Sequence, residues 1–209
     1  RVVIIMKGLA KIISTIFHPL VMPIVCLIYI LYSPTPWSGL PFSYKSLMML
    51  YIGLGTSLAP LLCIALLMVL RLVKNVEMPS RSERFLPLIL SCLSAAITCY
   101  IITTNSHAFV FPALIRMVEG ITFMFFLALL ITPFWKISLH SMGMGGLMSF
   151  LIVLGISCGQ DFTIAACVVV ALTGLVCWAR LYLEAHTPMQ LVVGYLVGAL
   201  TMTIAFVHP

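Results

Sequence analysis

The sequence predicts an all-α fold: a polytopic bundle of six or seven transmembrane helices in a single domain over residues 1–209. Of its residues, 63% are hydrophobic and 8% charged, with a mean hydropathy of +1.22, whereas a soluble domain has about 25% charged residues. The apolar residues form runs near the roughly 20 residues with which an α-helix crosses a bilayer, rather than the alternation of barrel strands. A water-soluble fold is excluded.

The apolar runs predict the individual spans and their connections. We expect spans over residues 11–32, 47–73, 85–104, 114–133, 143–158, 162–180 and 189–207. The fifth run is short, so it could also merge or tilt with the sixth. Pro19 and Pro23 predict a kink in the first span, because proline lacks the N–H for a helical hydrogen bond. Residues 33–46 are typical of a membrane-interface turn, with Trp37 and Tyr44 at the interface.

Basic residues cluster at the ends of the predicted spans. The net charge of +6 comes from 11 Lys and Arg against 5 Asp and Glu. With seven spans, one membrane face holds most of the charge: Lys7, Lys11, Arg71, Lys74, Arg81, Arg84, Lys136 and Arg180. This pattern disfavours nucleic acid and favours anionic or phosphorylated lipid as a partner. The positive-inside rule places this face of a cell-membrane protein in the cytoplasm, although basic residues that bind phosphate would give the same bias.

The first candidate site segment connects the second and third spans. It carries Lys74, Arg81 and Arg84 within eleven residues. An arginine fork can hold two phosphate oxygens, and lysine adds a point charge, so this cluster suits a phosphoryl group. A juxtamembrane loop that contacts lipid headgroups is the alternative interpretation.

Two further segments at the same face carry histidines. Residues 135–143 contain Ser138 and His140, and residues 179–194 contain Arg180, His186 and Gln190. Gln190 follows His186 by four positions, so the two can share a helical face. Each of these segments alone is weak evidence for a phosphate site. Two histidines and at least three cations at one face of a chain with so few charges indicate phosphate chemistry.

The order and spacing of these residues resemble the type 2 phosphatidic acid phosphatase superfamily, which includes membrane lipid phosphatases and undecaprenyl pyrophosphate phosphatases. The motifs of that family are K-x6-R-P, P-S-G-H and S-R-x5-H-x3-D. This sequence has Lys74-x6-Arg81, then Ile137-Ser138-Leu139-His140, then Ala179-Arg180-x5-His186-x3-Gln190. The third match is the most specific, and the resemblance covers about residues 74 to 200.

The first two motifs differ from the family pattern in their prolines and glycine. Ser82 replaces the proline after Arg81, and Arg84 with Pro87 offers another basic anchor, which leaves open which arginine contacts phosphate. In the second motif the proline and the glycine are replaced.

The third motif differs modestly at its first position, where Ala179 replaces serine, and seriously at its last position, where Gln190 replaces an aspartate. In the family this carboxylate orients the nucleophilic histidine and stabilises its positive charge. A neutral glutamine can accept a hydrogen bond from the imidazole and hold its orientation, but it cannot supply the full charge.

The resemblance implies metal-independent hydrolysis of a lipid phosphate or isoprenyl pyrophosphate through a phosphohistidine. His186 would attack phosphorus, and His140 would protonate the leaving group and later activate water. No cofactor is implied. The residues expected at the phosphate are Lys74, Arg81, Arg84, Ser138 and Arg180.

Three alternatives remain. One is an inactive phosphatase-like protein that binds a lipid phosphate or serves as an assembly subunit, and Gln190 favours it. Another is transfer of the phosphoryl group to an acceptor other than water. A transporter or channel is disfavoured by the scarcity of ionisable residues near span centres. We expect the other polar residues to be interface or loop groups: His18, His107, His208 and Asp161.

Overall fold

The structure is a computed structural model that describes residues 2–74, 78, 80–104 and 112–207, without the side chain of Arg81. Within these residues the chain is helical and contains no strand, which confirms the predicted fold class. His107 and His208 lie outside the described residues.

Most of the helices follow the predicted apolar runs. They are α1 (Val2–Ile16), α2 (Met22–Tyr32), α3 (Phe42–Gly53), α4 (Ala59–Val69), α5 (Arg81–Thr104), α6 (Pro112–Ile131), α7 (Leu139–Cys158), α8 (Thr163–Tyr182) and α9 (Pro188–Val207).

Six helices among the described residues are long and apolar enough to cross a membrane. The first of them is the continuous helix Phe42–Val69, in which a π-helical turn, Leu54–Leu58, joins α3 to α4. The other five are α5 to α9. The chain is therefore a multi-pass membrane protein, as predicted.

The predicted first span, 11–32, is wrong as a single kinked helix. The chain leaves the helix after Ile16 and starts α2 at Met22. Pro19 has no N–H and disfavours a helical conformation at His18 before it, so the helix breaks there. Pro23 lies in the first turn of α2, where the missing N–H breaks no helical bond. At about 1.5 Å per residue, the 11 residues of α2 are too few to cross a bilayer.

The predicted fifth span, 143–158, begins earlier in the structure and has full length. Ser138 caps α7, because its hydroxyl accepts a hydrogen bond from the Ser141 N–H at 3.4 Å. The helix then runs for 20 residues and ends at Gly159, whose φ of +60° suits a glycine. It is a separate helix from α8, with which the predicted fifth span could have merged.

Helix α7 is the centre of the bundle. About 67% of its most apolar stretch is buried, against 22–39% for the other spans. It packs most closely on α9, where small residues allow the backbones to touch. A Cβ at Gly198 would lie 2.0 Å from the Met142 carbonyl oxygen, and a Cβ at Gly145 would lie 2.0 Å from that of Tyr195. This contact fixes the start of α7, with His140, beside the start of α9, which follows His186.

Candidate functional site

A cavity of about 430 Å³ lies where α5 and α7 begin and α8 ends. Its apolar wall comes mainly from α4, α5 and α6 and includes Leu61, Ile64, Leu88 and Phe125. Its polar lining combines candidate residues from all three segments, residues of α1 and the following turn, and Ser91 of α5: Lys11, Ser14, Thr15, His18, Arg84, Ser91, His140, Arg180 and His186.

His186 is buried, with 7% of its surface exposed, and is held by Gln190. Its Nδ1 lies 3.1 Å from Gln190 Oε1, and the backbone N–H of Thr187 donates to the same Oε1 at 3.1 Å. Because a backbone N–H can only donate, this position must be the amide oxygen, and Nδ1 must then carry a proton. A neutral His186 therefore keeps its lone pair on Nε2. The pairing expected from the spacing is present.

The surroundings of His186 keep its imidazole neutral. Burial is the main cause that lowers its pKa to about 3, with smaller contributions from the charges of Arg84, Arg180 and Lys136. The hydrogen bond with Gln190 acts weakly in the opposite direction. At neutral pH the ring is uncharged beside fixed cations, and an anion bound to those cations would raise its pKa.

Arg84 and Arg180 are almost fully buried, at 6% and 3% exposure, and both line the cavity. Arg84 Nε donates to the Met78 carbonyl at 2.8 Å, and its Nη1 donates to the Ile137 carbonyl at 3.4 Å. These two bonds orient the guanidinium group and tie the first segment to the second. The first motif leaves open whether Arg81 or Arg84 contacts phosphate. Arg84 lines the cavity, and the side chain of Arg81 lies outside the described residues.

His140 is anchored to the end of α1. Its Nε2 lies 2.9 Å from the carbonyl oxygen of Ser14. That carbonyl would accept from the His18 N–H in a continued helix, but the His18 N–H bonds to Thr15 instead. Because a carbonyl can only accept, His140 Nε2 carries a proton, and a neutral ring keeps its lone pair on Nδ1.

Two expected phosphate-binding residues do not line the cavity. The Ser138 side chain is fully buried and caps α7. Lys74 is exposed in the connection between α4 and α5. Residues 75–77 and 79, which follow Lys74, lie outside the described residues.

The contribution of α1 and the turn after it to the cavity was not predicted from the sequence. His18 lies in a connection, as expected, but it also lines the cavity, and its ring packs edge-on against His140 at 5.5 Å between centroids. Burial, and secondly the charge of Arg180, lowers the pKa of His18 to about 4. The available signal was a polar stripe at helical spacing: Lys7, Lys11, Ser14, Thr15 and His18.

The described residues contain no group of three or more His, Cys, Asp or Glu side chains arranged to hold a metal ion. Comparisons of the chain with protein-family models, with curated proteins and with solved structures found no match.

Proposed function

We propose that this protein is an integral membrane phosphatase that releases phosphate from a lipid phosphate or an isoprenyl pyrophosphate. The observation that carries the proposal is the His186–Gln190 pair, which leaves a lone pair on His186 Nε2 in a cavity with two buried arginines. A neutral imidazole with one nitrogen fixed as a donor is suited to nucleophilic attack through the other. The motif resemblance supports the same chemistry.

In the first step, His186 Nε2 attacks phosphorus and the bond to the leaving oxygen breaks. Arg84 and Arg180 neutralise the charge that spreads over the phosphoryl oxygens. For this step His140 also carries a proton on Nδ1, because its Nε2 proton is bonded to the Ser14 carbonyl, and it gives the Nδ1 proton to the leaving alkoxide or phosphate. Gln190 Oε1 accepts from Nδ1 throughout and stabilises the imidazolium partially, since an amide oxygen carries only a partial negative charge.

In the second step, water attacks the phosphohistidine. His140 takes the proton of that water, the phosphorus–nitrogen bond breaks, and phosphate leaves with His186 neutral again. The Ser14 carbonyl orients His140 for both steps, in the way that an acceptor orients a catalytic histidine in hydrolytic triads.

The apolar lining of the cavity supports a lipid substrate. The cavity is lined by the cations and also by Leu61, Ile64, Leu88 and Phe125 of the membrane helices. A phosphate bound at the arginines would direct an attached chain along this apolar wall. Burial of that chain would stabilise the complex by about 0.8 kcal/mol per CH₂ group.

A second candidate is a lipid-phosphate-binding protein that does not turn over. The observation that favours it is the neutral Gln190 in place of a carboxylate. The same cavity would then bind the headgroup, but the positive charge that forms on His186 during attack would be too weakly stabilised for turnover.

The test is phosphate release by detergent-purified protein from a panel of lipid phosphates and isoprenyl pyrophosphates in the presence of EDTA. We expect release by the wild type and its loss in His186→Ala. Asp161→Asn is the control, because Asp161 is an exposed loop residue at the other end of α7. Binding without release by any variant would favour the second candidate, and release that EDTA abolishes would contradict the metal-independent route.

A further inference from the structure

One wall of the cavity comes from α1 and the following turn, outside the three motif-like segments. Lys11, Thr15 and His18 line it at intervals of three or four residues. Lys11 and Thr15 are one turn apart in α1 and share one side of that helix, and His18 lies in the turn that follows it. This wall belongs to the same cavity as Arg84, Arg180 and His186.

The α1 wall presents nitrogen donors. His18 Nδ1 accepts the Leu20 N–H at 3.3 Å, so a neutral ring carries its proton on Nε2. With a pKa lowered to about 4, His18 is neutral at physiological pH and has that N–H to donate. The ammonium group of Lys11 can only donate. Thr15 uses its hydroxyl proton on the Lys11 carbonyl, at 3.0 Å. These donors favour a ligand group that carries several hydrogen-bond acceptors.

The charge of the cavity exceeds what one phosphate group needs. Its described lining includes the cations Lys11, Arg84 and Arg180 and no Asp or Glu. A phosphate monoester carries about −1.5 to −2 at neutral pH, which the two arginines already match. The charge of Lys11 remains for a second anionic group.

We propose that Lys11 and His18 form a second anion subsite, which binds the inner phosphate of a lipid diphosphate while the terminal phosphate lies at His186 and the arginines. The inference rests on the proposed function and narrows its substrate class to diphosphates. His186 Nε2 bonds to the terminal phosphorus, the bridging P–O bond breaks, and the leaving group is a lipid monophosphate. Lys11 and His18 hold this leaving phosphate.

The direct test compares inorganic pyrophosphate with inorganic phosphate as ligands. Stabilisation of the detergent-purified protein against heat, measured over a range of each anion at matched ionic strength, gives the two midpoint concentrations. We expect pyrophosphate to bind about tenfold more tightly, since one additional charged contact contributes about that factor. In Lys11→Met the ratio should fall close to one.

Lys7→Met is the matched control. Lys7 is an exposed lysine one helical turn before Lys11 in α1, and it does not line the cavity. It should keep the wild-type ratio. An equal ratio in both lysine variants, or no preference for pyrophosphate in the wild type, would overturn the subsite.

Turnover separates this inference from the proposed function. A Lys11-dependent preference for pyrophosphate without phosphate release from any lipid would support the subsite and contradict the phosphatase. Release with equal kcat/KM for lipid mono- and diphosphates, unaffected by Lys11→Met, would support the phosphatase and overturn the subsite.

Discussion

Gln190 Oε1 lies 3.1 Å from His186 Nδ1 and also accepts the Thr187 N–H, so the amide oxygen rather than its nitrogen faces the imidazole. A neutral side chain thus takes the orienting position that an aspartate has in the phosphatase family that the motifs resemble. The His186 ring is held in place, but its developing charge meets only a partial negative charge. The consequences can be tested at this pair and around it.

Replacing Gln190 with a carboxylate should speed attack by His186. A full negative charge beside Nδ1 stabilises the imidazolium, so we expect Gln190→Asp to raise kcat at least about tenfold, within the range that such carboxylates contribute in triads. Gln190→Leu removes the acceptor and should lower kcat. Initial rates of phosphate release measure both. Slower release by a folded Gln190→Asp would show that the amide is the better partner.

Stability should rise with pH in the acid range. His18 and His186 have folded-state pKa values lowered to about 4 and 3, whereas an unfolded histidine titrates near 6.5. Between these values the unfolded chain binds more protons than the folded one, so acidification favours unfolding. The melting temperature in detergent should therefore increase from pH 4.5 to about 6.5, and these two histidines should contribute no change above that. His18→Phe should make the rise shallower; an unchanged slope would contradict the prediction.

Lysine should not be able to replace Arg84. Its Nε and Nη1 bonds to Met78 and Ile137 use the planar fork that lysine lacks. We expect Arg84→Lys to lower kcat/KM by about a hundredfold, the lower end of what loss of a transition-state donor costs. Arg71→Lys is the control, because Arg71 is exposed after α4 and does not line the cavity. Equal effects in the two variants would argue against a role of Arg84 at the phosphate.

Ser138 should matter for stability rather than for phosphate affinity. Its hydroxyl caps α7, and loss of such a cap costs about 1 kcal/mol. Ser138→Ala should lower the melting temperature by a few degrees and leave the midpoint for inorganic phosphate near that of the wild type. A large loss of phosphate affinity without loss of stability would restore Ser138 to the binding residues expected from the motif.

Local patterns in the sequence explain which parts of the structure were predictable. Long apolar runs predict helices α3 to α9, since an uninterrupted run of that length has few other solutions in a bilayer. The His186–Gln190 contact was also predictable, because it joins residues four positions apart.

The parts of the structure that were not predicted depend on contacts between residues that are distant in sequence. Ser14 and His140 are separated by 126 positions, and no local pattern indicates that they meet. The break at His18 and Pro19 was hidden because the apolar residues on both sides form one run of spanning length. The full length of α7 was underestimated because its first turn, from Leu139 to Met142, contains a histidine and a serine that lower its hydropathy.

The most direct test of the central claim is to trap the phosphoenzyme. Detergent-purified protein is mixed with a lipid diphosphate labelled with ³²P in its terminal phosphate and quenched in alkali within milliseconds. We predict label on the protein that is stable to alkali and labile to acid, as expected for a phosphohistidine. The label should map to His186 and be absent in His186→Ala. Phosphate release without any labelled protein, or label that persists in His186→Ala, would contradict the account.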